Sequence, residues 1–169
     1  MSDNMPRFIL RDCTVFINQN VQIGQAKEIT IPTLTQKTDE LRNSGMVMPI
    51  AIPMGYEKLE LTIKLTSFDP NNIELFGLKV GKTHDYMVTG ALANEDGAVT
   101  QAIVYMQGRL DKMDPGSWKI GDISECSLTI NIRYYKLEIG GQAIIELDPF
   151  GISVNGVSQT ADIRQALMA

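Results

Sequence analysis

Arg133-Tyr134-Tyr135-Lys136-Leu137-Glu138-Ile139-Gly140-Gly141-Gln142-Ala143-Ile144-Ile145-Glu146-Leu147-Asp148-Pro149 sets two β-rich runs on either side of a glycine pair. Glycine reaches positive φ at little steric cost, so Gly140-Gly141 suits a two-residue hairpin turn. Pro149 cannot donate a ladder hydrogen bond and ends the second run. A two-residue turn would set Leu137 opposite Ile144 and Tyr134 opposite Leu147. Both faces of the hairpin would then carry apolar groups, which points to packing on both sides.

Strand signals extend outward from this hairpin. In Glu57 to Thr66, Leu59, Leu61, Ile63 and Leu65 fall on one face, with Lys58, Glu60, Thr62 and Lys64 on the other. That is period two, one face dry and one wet. Ser127 to Arg133 repeats it: Leu128, Ile130 and Ile132 oppose Ser127, Thr129, Asn131 and Arg133. Thr14 to Ile17 and Glu28 to Leu34 read as further strands. Tyr86 to Ala93 and Val99 to Leu110 form a pair joined by the loop Asn94-Glu95-Asp96-Gly97. One short helix is predicted after Asp69 as cap and Pro70 as first residue, with Ile73, Leu75, Phe76 and Leu78 as its apolar side. A weaker helical pattern covers Gln159 to Leu167. The pattern predicts one antiparallel β domain over residues 1–169, sandwich- or barrel-like, with a short flanking helix.

Thr35 to Met54 differs in kind. A polar run and the turn Arg42-Asn43-Ser44-Gly45 lead into Met46-Val47-Met48-Pro49-Ile50-Ala51-Ile52-Pro53-Met54. The two prolines exclude a central strand. Methionine is common at adaptable interfaces. The segment reads as a long connection, either tucked on its own core or laid as a flap on another subunit.

The chain has 169 residues, 44% of them hydrophobic and 21% charged, which is the composition of an ordinary soluble globular protein. Its formal net charge of -5 opposes binding to the phosphate backbone of nucleic acid. Met1 to Arg7 lacks a basic start followed by a long apolar core, and no apolar run approaches the ~20 residues of a membrane span. Cys13 and Cys126 read as reduced, buried thiols of a cytosolic product.

The residues give no support to catalysis. His84, the sole histidine, reads as a solvated loop residue in Gly81-Lys82-Thr83-His84-Asp85, since Asp85 would point to the opposite face. Asp111, Asp114 and Asp122 match no metal-ligand spacing, and Asp114-Pro115-Gly116 is an ordinary turn. Gly77-Leu78-Lys79-Val80-Gly81-Lys82-Thr83 has one residue too few between its glycines for a P-loop. No cofactor is expected. Trp118 is either a binding anchor or a cap on the core beneath the Pro-Gly turn, the second being favoured.

Taken in order along the chain, the motifs resemble a known family. These are Ile29-Thr30-Ile31-Pro32-Thr33-Leu34-Thr35-Gln36-Lys37-Thr38, Arg42-Asn43-Ser44-Gly45-Met46, Met54-Gly55-Tyr56-Glu57, Gly108-Arg109-Leu110 through Trp118-Lys119-Ile120-Gly121, Tyr134-Tyr135-Lys136-Leu137-Glu138, Ile145-Glu146-Leu147-Asp148-Pro149 and Val154-Asn155-Gly156-Val157. No one motif is specific; their order and spacing are similar to the major tail tube proteins of P2-type contractile-tailed bacteriophages and of R-type tailocins. The resemblance implies a structural protein that forms hexameric rings, stacked so that strands from every subunit close a large β-barrel around a lumen. It implies a contractile sheath outside, baseplate and tail terminator proteins at the ends, and a tape-measure protein in the lumen. DNA would pass without specific binding. The particle would be a virion tail, or a tailocin without DNA, assembled in the host cytoplasm. A type VI secretion-like tube protein is an alternative; a β-sandwich binding module or an enzyme is a more distant one. On this reading Met46, Val47, Met48, Pro49, Ile50 and Ile52 would contact another subunit or ring. Lys58, Glu60, Thr62, Lys64, Thr129, Asn131 and Arg133 are candidates for the lumen wall, unless these faces turn outward.

Overall fold

The computed structural model describes residues 5–77 and 82–168. Strands dominate, as the period-two runs require. Along the chain come β1 (Ile9–Ile17), β2 (Asn20–Val21), β3 (Ala26–Thr30), β4 (Gln36–Leu41), β5 (Ile50–Tyr56) and β6 (Leu59–Leu65). A one-turn helix α1 (Pro70–Ile73) follows, then β7 (His84–Ala93), β8 (Val99–Asp114), β9 (Cys126–Ile139) and β10 (Gln142–Asp148). The chain closes with β11 (Gly151–Val154), β12 (Val157–Ser158) and α2 (Ala161–Ala166).

All described strands but β4 and β5 join one antiparallel sheet, ordered β12-β11-β10-β9-β8-β7-β1-β2. β3 and β6 branch from it, because β9 has two neighbours along one edge. Its first half, Cys126 to Ile132, pairs with β6, and its second half, Tyr135 to Ile139, pairs with β10. β8 lies between β7 and β9 over Ala102 to Gly108, and beyond Gly108 it pairs with β9 alone. A bulge interrupts the β8–β9 register here: Gln107 faces Tyr134 and Gly108 faces Ile132, so Arg133 of β9 is the extra residue. Gly108 is obligatory there. A Cβ on it would lie 2.3 Å from the Asn131 carbonyl oxygen.

Folding over encloses one core. It gathers Val15 and Ile17 of β1, Leu59, Leu61, Ile63 and Leu65 of β6, Tyr86 and Val88 of β7, and Leu128, Ile130 and Ile132 of β9. The alternating faces predicted for Glu57 to Thr66 and Ser127 to Arg133 are therefore present, and their dry sides meet inside.

The hairpin of Arg133 to Pro149 forms as expected, with Gly140 at φ 61° and Gly141 at φ 82°. Its register differs from expectation. Leu137 lies opposite Ile145, and Leu147 opposite Tyr135. The cause is a bulge between Ala143 and Ile145: the Ile144 carbonyl turns away to accept the Asn155 amide at 2.7 Å. The bulge sends Tyr135 and Leu147 together into the core. The opposite face carries Tyr134, Lys136, Glu138 and Glu146, with the Tyr134 hydroxyl donating to Glu146 at 3.0 Å. The expected second apolar face does not form.

Asp69 caps α1 by accepting the Asn71 amide, and Pro70 is the first helical residue. Ile73 and Leu75 are half-buried, Phe76 is exposed, and Leu78 lies outside the described residues, as do positions 78–81 of the rejected phosphate-loop pattern. The predicted C-terminal helix contracts to α2.

Thr35 to Met54 departs most from the reading of a long connection. β4 and β5 pair with each other, Thr38 opposite Pro53 and Leu41 opposite Ile50, as a separate two-stranded ribbon. Proline is tolerated because each strand of such a ribbon has a free edge, so no third strand waits for the missing N–H.

Candidate functional site

The β4–β5 ribbon stands off the body. No residue of either strand is fully buried. Its root is fixed by the Glu57 amide donating to the Thr35 carbonyl at 2.9 Å. Its tip is a closed turn: Gly45 has φ 87°, and the Met46 amide donates to the Asn43 carbonyl at 3.1 Å. The turn half-covers Met46, and Ile52 is half-buried lower down. Val47 is 94% exposed and Met48 68%, with Pro49 and Ile50 also in solvent. Of the two readings of this segment, packing on its own core is therefore overturned. A ribbon of this length that exposes consecutive apolar residues at its tip presents an unpartnered surface.

The wet faces of β6 and β9 lie side by side. Glu60 is opposite Asn131, Thr62 opposite Thr129, and Lys64 opposite Ser127. Lys58, just before β6, reaches Glu60 at 3.1 Å, and Lys64 reaches Glu28 of β3 at 3.3 Å. From β8, Arg109 stands opposite Asn131 and Lys112 opposite Thr129, with Arg109 held by Asp111 at 2.9 Å. Six of the seven polar candidates thus share one surface, on which three of the four cations named are paired with carboxylates. Arg133 does not join the ladder. It follows the last β6–β9 pair, at the fork where β6 leaves β9 and β10 begins, in a groove of about 500 Å³ with Tyr56, Lys58 and Asp148.

The β8–β9 loop corrects another expectation. Trp118 does not cap the core; it is 74% exposed. Its indole donates to the Pro115 carbonyl at 3.3 Å and meets the Phe68 ring edge-on at 5.2 Å. Ile120 and Ile123 beside it are also exposed, which period-two reading gave no means to foresee. The loop is tied to β3 by an ion pair between Lys27 and Glu125. That hydrogen bond, reinforced by the opposite charges, holds the Lys27 amine above its usual range and the Glu125 carboxyl below its own.

The residues screened for chemistry have structural surroundings. His84 is half-buried at the start of β7, opposite Gly108, rather than in a loop. Asp114 accepts the Gly116 amide at 2.9 Å, which makes the predicted turn. No group of three or more metal-ligating side chains occurs among the described residues. Cys126 is buried in the core and burial raises its thiol pKa, but Cys13 is exposed on β1, against the expectation that both are buried. Both thiols are free.

The profile of the phage tail tube protein FII family matches residues 6–167. The chain belongs to that family. It is 29% identical to the tail tube protein of Escherichia phage P2 over 95% of this chain and 96% of the phage protein. It is 28% identical to the major tail tube protein of Serratia phage KSP20, over 82% and 81% of the two chains. Its fold is similar to a chain in the sheath–tube complex of an extracellular contractile injection system, PVC, in its extended state. The TM-score is 0.56, over 82% of this chain and 93% of that one, at 13% identity. A chain of the sheath/tube terminator of the same system gives a TM-score of 0.55 at 14% identity, over 75% and 92%. The resemblance drawn from the sequence motifs holds. This is a contractile-tail tube protein, a structural component and not an enzyme.

Proposed function

We propose that this tail tube protein stacks as hexameric rings into the inner tube of a contractile phage tail, the whole chain working as one unit. Strands from neighbouring copies close a common barrel, a sheath surrounds it, and baseplate and terminator proteins meet its ends. A tape-measure protein occupies the lumen during assembly in the host cytoplasm, and genome DNA later passes through it into the target cell. The observation that carries this reading is the β4–β5 ribbon: a folded extension whose exposed apolar tip gains from being covered by another copy.

The polar ladder of β3, β6, β9 and β8 supports a lumen lining. Lys58, Lys64 and Arg109 each have a carboxylate partner within 3.3 Å. Cations so paired release few counterions to a passing phosphate backbone, which leaves Lys112, beside them on β8, as the one of these four with no carboxylate partner among the described residues, so DNA slides rather than binds. Tip burial contributes about 25 cal/mol per Å² of apolar area, repeated at every copy.

The test is the variant Met46→Glu/Met48→Glu/Ile50→Glu. None of these side chains belongs to the core, so the chain keeps its fold by circular dichroism while negative-stain microscopy shows no tubes where the parent forms them. Tubes of parental length from the variant would refute the role given to the ribbon.

A further inference from the structure

The β3–β6 ladder has unlike ends. At Thr30 and Leu59 the chain leaves for the β4–β5 ribbon. At Ala26, about 13 Å away for four strand residues, the body opens into a groove of about 570 Å³. The β2–β3 turn forms one wall of it and the middles of β1 and β7 form another, with Asp12, Cys13, Thr14, Ile23, Ala91 and Val99 among its lining. Ile23 and Val99 are exposed apolar residues, 72% and 68% accessible. Asp12 gives the groove a single charge, and it is negative.

The ribbon tip has complementary properties. Its apolar residues are Met46, Val47 and Met48, and the charge nearest the turn is the cation Arg42, whose Nε donates to the Met46 carbonyl at 3.4 Å, with Asp39 and Glu40 lower on β4. A plug at one end of a ladder and a matching socket at the other make a heterologous, head-to-tail contact, which propagates without limit when it does not close. Resting on the assembly proposed above, we infer that the ribbon tip of one copy seats in the β1–β7 groove of the copy stacked on it. Arg42 then faces Asp12.

Cys13 lies in the groove and is exposed, while Cys126 is buried, so the native chain carries a reporter. The full-length variants Val47→Cys and Met48→Cys are assembled, then oxidised with diamide or bridged with a short bis-maleimide, and run on a non-reducing denaturing gel. A tip-to-groove contact links each chain to two others, so at least one variant gives a ladder past the dimer. Adding Cys13→Ser removes that ladder. Asp12→Lys shortens tubes at least tenfold, and the pair Asp12→Lys/Arg42→Glu restores them. If microscopy shows tubes but neither variant links beyond a dimer, or the links survive Cys13→Ser, the groove is not the seat, although the assembly stands. If the parent chain stays monomeric at high concentration, the assembly reading fails and this inference with it.

Discussion

Gly108 is the residue on which the folded-over sheet depends most directly, and Gly108→Ala measures that dependence. The added Cβ would lie 2.3 Å from the Asn131 oxygen and 3.0 Å from both the Asn131 carbonyl carbon and the Ile132 Cα. All three are backbone atoms of β9, so no side chain can rotate aside. Relief requires β8 and β9 to separate by about 1 Å at the bulge, where both halves of the sheet are joined. Overpacking a core costs about 1–3 kcal/mol, and a backbone obstacle places this case near the top, at ~3 kcal/mol. Total stabilities are about 5–15 kcal/mol, so the folding equilibrium falls by roughly 150-fold. The melting temperature of a domain this size drops by roughly 6–12 °C. Urea unfolding of dilute, unassembled protein, followed by circular dichroism, should show a lower midpoint with an unchanged slope. Gly77→Ala is the control, because its Cβ meets nothing within 4 Å. Equal midpoints for the two variants would refute the account of the bend.

Two further measurements address the β8–β9 loop. In Lys27→Met the Glu125 carboxyl loses its partner, and its titration midpoint, read by NMR, should rise toward the ordinary value near ~4.3. The sign follows from the depressed folded pKa. The pair's contribution is present above the ordinary carboxylate pKa and is lost as pH falls through the lower, folded one, so Lys27→Met removes that acid limb. The raised pKa of Lys27 sets the alkaline limit: its contribution is complete below the ordinary amine value and disappears as pH rises through the folded one. A Glu125 midpoint that does not move contradicts the pairing. Trp118 is the single tryptophan. Its exposure in the free chain predicts red-shifted fluorescence readily quenched by acrylamide, and a blue-shifted, protected signal there would contradict the loop's placement.

Legibility followed periodicity. The alternation in Glu57 to Thr66 and Ser127 to Arg133 records a sheet with one face in a core, and those residues are the core. The turn at Gly140-Gly141 was legible because glycine takes positive φ at little cost, whereas the β1–β2 turn, where Asn18 and Gln19 both have positive φ, carries no such signal. The register beyond it was not legible, because the Asn155 amide diverts the Ile144 carbonyl from eleven residues downstream. The ribbon was misread as a long connection because Pro49 and Pro53 speak against central strands, and the rule is silent about a ribbon with no centre. Its candidate contact residues were visible as an apolar run outside any amphipathic pattern. The groove was invisible. It is assembled from β1, β7 and the β2–β3 turn, which no local pattern relates. The exposure of Trp118 was missed because burial averages for tryptophan do not apply in a loop where its indole is satisfied by the Pro115 carbonyl and its ring rests edge-on against Phe68.

The sharing of β8 and β9 bears on how such a subunit carries load. If the ribbon tip is gripped by a neighbour, tension enters the body through the root of β5 and passes directly into β6. β6 is hydrogen-bonded to β9 along seven consecutive pairs, and β9 in turn to β8 and β10. Force along a strand loads these bonds side by side, in shear, instead of opening them one after another. In a sandwich of two independent sheets the pulled strand would be held by hydrogen bonds within its own sheet, and only side-chain packing would pass the load to the other. Here the same two strands run through both layers, so pulling β6 away from β9 would also have to disturb the layer built on β7 and β10. The bulge at Arg133, beside the Gly108–Ile132 pair, marks the point where β9 passes from β6 to β10. On this account Gly108→Ala weakens assembled tubes under mechanical load more than its effect on the dilute chain would suggest.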